Sequence, residues 1–135
     1  MAITTPKYIA ELEPYEGGRP IKEVSRELGI PSHKIVKLAS NENPLGVSPK
    51  AKLAIDESVN ETHRYPDGNG YYLKLALCNK FSLNSDQIIL GNGSNDVLEL
   101  AARTFISSGD EVIYSKHAFA VYEIVTNAVG GIGIK

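Results

Sequence analysis

Four stretches of this chain carry residue types that could do chemistry. The sharpest is Gly91-Asn92-Gly93-Ser94-Asn95-Asp96, set between an apolar run and an amphipathic stretch. Two glycines permit a tight backbone turn, and the first amides of a helix that follows have no partners of their own. A helix start of this kind takes phosphate through its dipole and its N–H groups. A tight turn with no ligand accounts for the same residues. The carboxylate of Asp96 would oppose a bound phosphate if it pointed inward, so a capping or outward position is expected for it. The dinucleotide fingerprint needs glycine where Asp96 stands, and the Gly-Lys-Ser/Thr ending of a nucleoside-triphosphate loop is absent.

The other three stretches read first as turns. Leu38-Ala39-Ser40-Asn41-Glu42-Asn43-Pro44-Leu45-Gly46 is polar and stiffened by Pro44, the mark of a capped loop. Tyr65-Pro66-Asp67-Gly68 is dense in turn formers. Ser115-Lys116 has the residue types of a catalytic pair, but no base, oxyanion loop or apolar pocket accompanies it, so a strand-end turn is expected. Phe119 and Tyr122 share one face at helical spacing, where core packing is the default. His33, His63 and His117 are too scattered to ligate a metal, and none is expected.

These stretches need elements to position them. Residues 1–48 hold five of the seven prolines and break regular structure repeatedly. A short helix is expected at Ile21–Leu28, stopped by Gly29, and a short strand at Ile35–Ala39. This segment reads as an arm lying across something larger. From Ser48 the pattern is regular. Ser48-Pro49 starts a helix to about Thr62. A second spans Tyr71–Phe81, a buried strand spans Gln87–Leu90, and a third helix covers about Asn95–Ile106 with Val97, Leu98, Ala101, Ala102 and Phe105 on its stripe. Strand Glu111–Tyr114, a helix over about Ala118–Ala128 and an apolar strand from Ile132 complete the chain. The alternation predicts an α/β fold with a parallel sheet. So few short strands make an incomplete sheet of that type, which points to the beginning of a longer protein.

Composition narrows the classes. The 135 residues include 14 basic and 16 acidic side chains, a net charge of -2, and 42% hydrophobic residues. Such a chain is neither wholly disordered nor a nucleic-acid binder. The single Cys78 excludes an internal disulfide framework and any CxxC pair. No stretch approaches the ~20 apolar residues of a membrane span, and no secretory signal opens the chain. A soluble, cytoplasmic protein is expected.

Taken in order, the pieces resemble one family. They are Pro14-Tyr15-Glu16-Gly17-Gly18-Arg19-Pro20, then Leu38–Gly46, then Arg64-Tyr65-Pro66-Asp67, then Gly91–Asp96 before Val97-Leu98-Glu99-Leu100. Together they resemble the first third of the histidinol-phosphate aminotransferases, fold type I enzymes that use pyridoxal 5′-phosphate (PLP). The resemblance implies residues 1–48 as an N-terminal arm and 49–135 as the first part of a PLP-binding large domain. It implies transfer of an amino group from L-glutamate to imidazole acetol phosphate, giving L-histidinol phosphate and 2-oxoglutarate in histidine biosynthesis, by a homodimer. The amides at Ser94 and Asn95 would hold the cofactor phosphate, and Phe119 would stack on its ring. Most relatives in this family carry tyrosine at the position of Phe119, so stacking is kept but a phenol is not. Tyr65 would reach the phosphate of the partner subunit, Tyr15 would close over the substrate phosphate, and Asn43 and Gly46 would line the substrate side. Asn95-Asp96 departs from the more usual Asp-Glu. None of the ten lysines matches the family's Ser-x-Ser-Lys-like stretch, so the Schiff-base lysine is expected beyond residue 135 and these residues alone are expected to be inactive. A threonine-phosphate decarboxylase, a non-catalytic phosphate-binding or assembly module and a nucleotide-binding α/β domain are the competing readings.

Overall fold

The computed structural model describes residues 4–135, which form two compact units: residues up to 15 together with 69–135, and residues 16–68. In the first unit helix α1 is Lys7–Ala10. In the second, α2 is Ile21–Leu28 and α3 is Pro49–Ser58, which runs on into a 3₁₀ turn at Val59–Glu61. The first unit then continues with α4 at Tyr71–Phe81, α5 at Ser94–Phe105, strand β1 at Glu111–Ile113, α6 at Val121–Ala128 and strand β2 at Ile132–Ile134. Helix α1 is not expected from the sequence; the others fall close to where the spacing of apolar residues and the stop signals put them.

The two strands pair in parallel, Glu111 opposite Ile132 and Ile113 opposite Ile134. Helix α6 is the crossover between them, as a parallel pair requires. Its end is fixed by two bonds of a Schellman turn, Gly130 N–H to Asn127 O and Gly131 N–H to Thr126 O, both 2.9 Å. The chain then enters β2 at once, and Ile132 N–H donates to Asp110 O at 2.8 Å. The core sits where α6 packs on α5. Ala102 and Val121 are buried there, and so is Thr126, whose hydroxyl donates to Tyr122 O at 2.7 Å. A small side chain at Ala102 lets the two helices approach.

Two expected strands are not strands. Ile35–Ala39 and Gln87–Leu90 contain extended residues, with Ile35 at φ -97, ψ 122 and Ile88 at φ -120, ψ 121, but no neighbour pairs with either among the described residues. Ile88 N–H turns back to Ser85 O instead, and Ile89 is exposed rather than buried. Extended backbone becomes a strand only when another strand meets its hydrogen bonds, and only β1 and β2 meet here.

Much apolar surface is bare. Leu38, Leu45, Tyr72, Phe105 and Ile113 all stand open.

In the unit 16–68, Arg19 just before α2 is held by two carboxylates of that helix: its Nε donates to Glu23 at 2.9 Å and its Nη2 bonds Glu27. These carboxylates, Glu27 first and then Glu23, push the guanidinium pKa further above its ordinary value. Helix α4 ends at Ser82 in the left-handed conformation, φ 54 and ψ 46, with Leu83 N–H closing onto Cys78 O at 3.2 Å. Glycine is the usual residue in that conformation at a helix end. Ser82→Gly is therefore expected to stabilise the protein by about 0.5 kcal/mol, part of the relieved strain being offset by the freer unfolded chain. A thermal melt that falls would contradict this account of the helix end.

Candidate functional site

The site is built at the start of α5. Gly93 is the residue before the first helical turn, with φ 96 and ψ 176. Ser94, Asn95 and Asp96 follow as the first three helical residues, so their N–H groups have no carbonyl one turn earlier to bond. Val97 is the first to reach back, donating to Gly93 O at a long 3.4 Å. The array of free donors at the positive end of a twelve-residue helix is what an anion needs. Asp96 does not point its charge at that array unpartnered: its Oδ2 accepts the N–H of Asn92 at 2.9 Å. The capping position expected from the sequence is the one observed.

The approach to α6 brings the aromatic residues in. Ala118 N–H donates to Ser115 O at 3.0 Å and His117 N–H to Ser115 Oγ at 3.3 Å. Ser115-Lys116 is thus a turn after β1, and it delivers Phe119 to the head of α6. The Phe119 ring meets Tyr15 edge-to-face, with centroids 5.5 Å apart and planes at 85°. A T-shaped contact leaves each ring at least one open face. Phe119 is 42% exposed, so a flat ligand can still reach it. Beside this pair lies a cleft of about 440 Å³, lined by Leu12, Glu13, Pro14, Tyr15, Asn95, Glu99, Val121, Ile124 and Val125. That size lies within the range of small-molecule sites. Tyr15, Phe119, Ser94 and Asn95, distant in sequence, therefore share one region of one unit.

The remaining candidates lie in the unit 16–68. Asn43 and Gly46 are brought together in a single turn. Leu45 N–H donates to Asn43 Oδ1 at 3.0 Å, Asn43 Nδ2 donates to Gly46 O at 2.9 Å, and Gly46 N–H donates to Asn43 O at 3.2 Å. The Asn43 side chain is thus engaged in holding its own loop, which an Asx turn does by design of the residue. Ser40 and Asn41 just before it both have positive φ, 68 and 50, and Lys37 Nζ pairs with Glu42 at 2.6 Å across them. Tyr65 is fully exposed. Among the described residues no cluster of His, Cys, Asp and Glu could hold a metal, and no helix is long and apolar enough to cross a membrane.

Sequence reasoning missed the wall of the cleft. Glu99 stands one turn after Asn95 on α5, and Val121, Ile124 and Val125 follow the i, i+3, i+4 spacing of one helix face. The spacing was visible, but a core stripe shows the same signal.

Comparison with known proteins identifies the family. The aminotransferase class I and II family matches residues 33–134. Histidinol-phosphate aminotransferase 2 of Nitrosospira multiformis is 57% identical over 129 residues, covering 96% of this chain and 33% of that protein. The histidinol-phosphate aminotransferase of Methylobacillus flagellatus is 54% identical, covering 96% and 35%. The chain thus spans about a third of the length of the curated relatives it matches. A crystal structure of the histidinol-phosphate aminotransferase from Sinorhizobium meliloti in complex with pyridoxal-5′-phosphate superposes with a TM-score of 0.81 at 24% identity, over 96% of this chain and 34% of that one. At that identity the likeness carries the fold. With three quarters of its length matched, this chain belongs to the aminotransferase class I and II family.

Proposed function

We propose that this chain forms the first part of a PLP-dependent aminotransferase that makes L-histidinol phosphate and 2-oxoglutarate from imidazole acetol phosphate and L-glutamate. The observation that carries the reading is the partnerless amide array at Ser94 and Asn95, set in the same unit as the half-open ring of Phe119. The relatives named above support the substrate. Residues 1–48 act as the arm, and residues 49–135 open the cofactor-binding domain.

The residues present fit the cofactor. Ser94 and Asn95 would receive its phosphate through their N–H groups, and the carboxylate next to them, Asp96, is engaged by the N–H of Asn92. Phe119 would cover one ring face and keep water from it. When bound, PLP supplies an electron sink for the pair left as the α-proton departs. Tyr15, already against Phe119, would close the substrate side with its phenol toward the substrate phosphate. The turn of Asn43 and Gly46 would present backbone to the substrate. Tyr65, free of burial, would reach the cofactor phosphate of a second subunit in a homodimer.

The test uses the full-length protein with L-glutamate and imidazole acetol phosphate, following 2-oxoglutarate. Stoichiometric 2-oxoglutarate and histidinol phosphate are expected; carbon dioxide from threonine phosphate would replace the proposal with a decarboxylase. Tyr65→Phe removes one hydrogen bond to a charged phosphate, so PLP affinity is expected to fall about tenfold. An unchanged affinity would remove Tyr65 from the site.

A further inference from the structure

Asp96 carries a charge that, by itself, works against an anion at the start of α5. Its geometry shows what the side chain does instead. As the third helical residue it reaches back beyond Gly93 to accept the N–H of Asn92 at 2.9 Å. The common arrangement stops one residue short, with the third residue bonding the N–H of the cap itself. The loop is shaped for the longer reach. A Cβ at Gly91 would stand 2.8 Å from Asp96 Oδ2, 3.3 Å from Asp96 Cβ and 3.0 Å from Val97 Cγ2. The carboxylate therefore lies in a seat that exists only because residue 91 has no side chain. Two features of the loop, the Asn92 donor and the Gly91 seat, converge on one oxygen.

We propose that Asp96 is a positioning residue for the phosphate cradle: seated on Gly91 and bonded to Asn92, its carboxylate locks the loop onto α5 so that the amides of Ser94 and Asn95 hold one aim. The proposal rests on the reading that those amides take the cofactor phosphate. The lock must contribute more than the repulsion costs. A partner hydrogen bond at 2.9 Å spends part of the charge locally, whereas a loop free to rotate would scatter the donors before any phosphate arrived.

The experiment is a titration of the full-length protein, freed of cofactor, with PLP and separately with pyridoxal, which lacks the phosphate. Hydrogen exchange across residues 91–95 is followed in parallel. In Asp96→Ala, PLP affinity is expected to fall about tenfold, pyridoxal affinity to stay as it was, and exchange at the Asn92 amide to accelerate. Asp96→Asn keeps an acceptor oxygen in the same place without the charge, and is expected to restore PLP affinity. Gly91→Ala leaves the carboxylate in the chain but fills its seat, and is expected to reproduce the loss seen in Asp96→Ala. PLP binding by Asp96→Ala as tight as the wild type, or tighter, overturns the proposal, because the repulsion then dominates. A loss in Asp96→Asn equal to that in Asp96→Ala also overturns it, since the charge and not the acceptor would matter. Equal affinity of the wild type for PLP and pyridoxal overturns the phosphate reading itself, and the cradle role with it; a normal wild-type preference that both Asp96 variants keep overturns only the role of Asp96.

Discussion

Replacing Gly93 with alanine is expected to cost roughly 1–3 kcal/mol of stability and to weaken PLP binding by about tenfold or more. Gly93 sits at φ 96, ψ 176, a region that residues with a Cβ scarcely populate. Nothing lies within 4 Å of where the new Cβ would stand. The cost is therefore in the backbone and cannot be relieved by a neighbour moving aside. The chain relieves it by rotating at residue 93, which re-aims the N–H groups of Ser94 and Asn95. Stability and cofactor affinity should fall together for that reason. Gly68, where an added Cβ also meets nothing and no positive φ occurs, supplies the control: Gly68→Ala should leave both as they are. A melt of Gly93→Ala that matches the wild type would show that the loop does not need this conformation.

The second large effect lies away from the cradle. Gly131→Val is expected to destabilise the protein by about 3 kcal/mol, at the upper end of overpacking costs, which for a chain of this size lowers the melting temperature by roughly 10 °C. A Cβ on Gly131 would come within 3.1 Å of both Ile106 Cγ2 and Thr126 O, and 3.2 Å of Thr126 Cγ2. Thr126 O cannot yield, because it accepts the N–H of Gly131 itself in the turn that ends α6. Thr126 is also the most buried side chain described, so it has nowhere to go. Valine adds two further methyls to a position already full with one. The damage separates the junction of α6 and β2 from α5, yet the loop at residues 91–93 is untouched. PLP affinity of the folded protein should stay unchanged, the opposite of the coupled loss at Gly93. Thermal melts of the two variants beside PLP titrations distinguish the cases. A wild-type melting temperature for Gly131→Val would mean that the α6–β2 junction is looser than its contacts indicate.

What the sequence by itself determined was local. Helices α2, α4 and α5 follow from apolar spacing and from proline and glycine stops, all of which act within a turn or two. The loop before α5 was legible for the same reason: two glycines ahead of a helix leave free amides wherever the rest of the chain goes. Only the tertiary structure decided the rest. Whether Ile35–Ala39 and Gln87–Leu90 would be strands depended on partners elsewhere in the chain, and extended backbone carries no mark of having one. The meeting of Tyr15 with Phe119, from opposite ends of the sequence, depended on α1 and the residues after it packing on α6. For Asp96 the sequence offered an inward carboxylate or a capping one. The choice fell to the backbone of Gly91 and Asn92, because a charged oxygen goes where a donor and an empty seat coincide, and only the folded loop puts the two together.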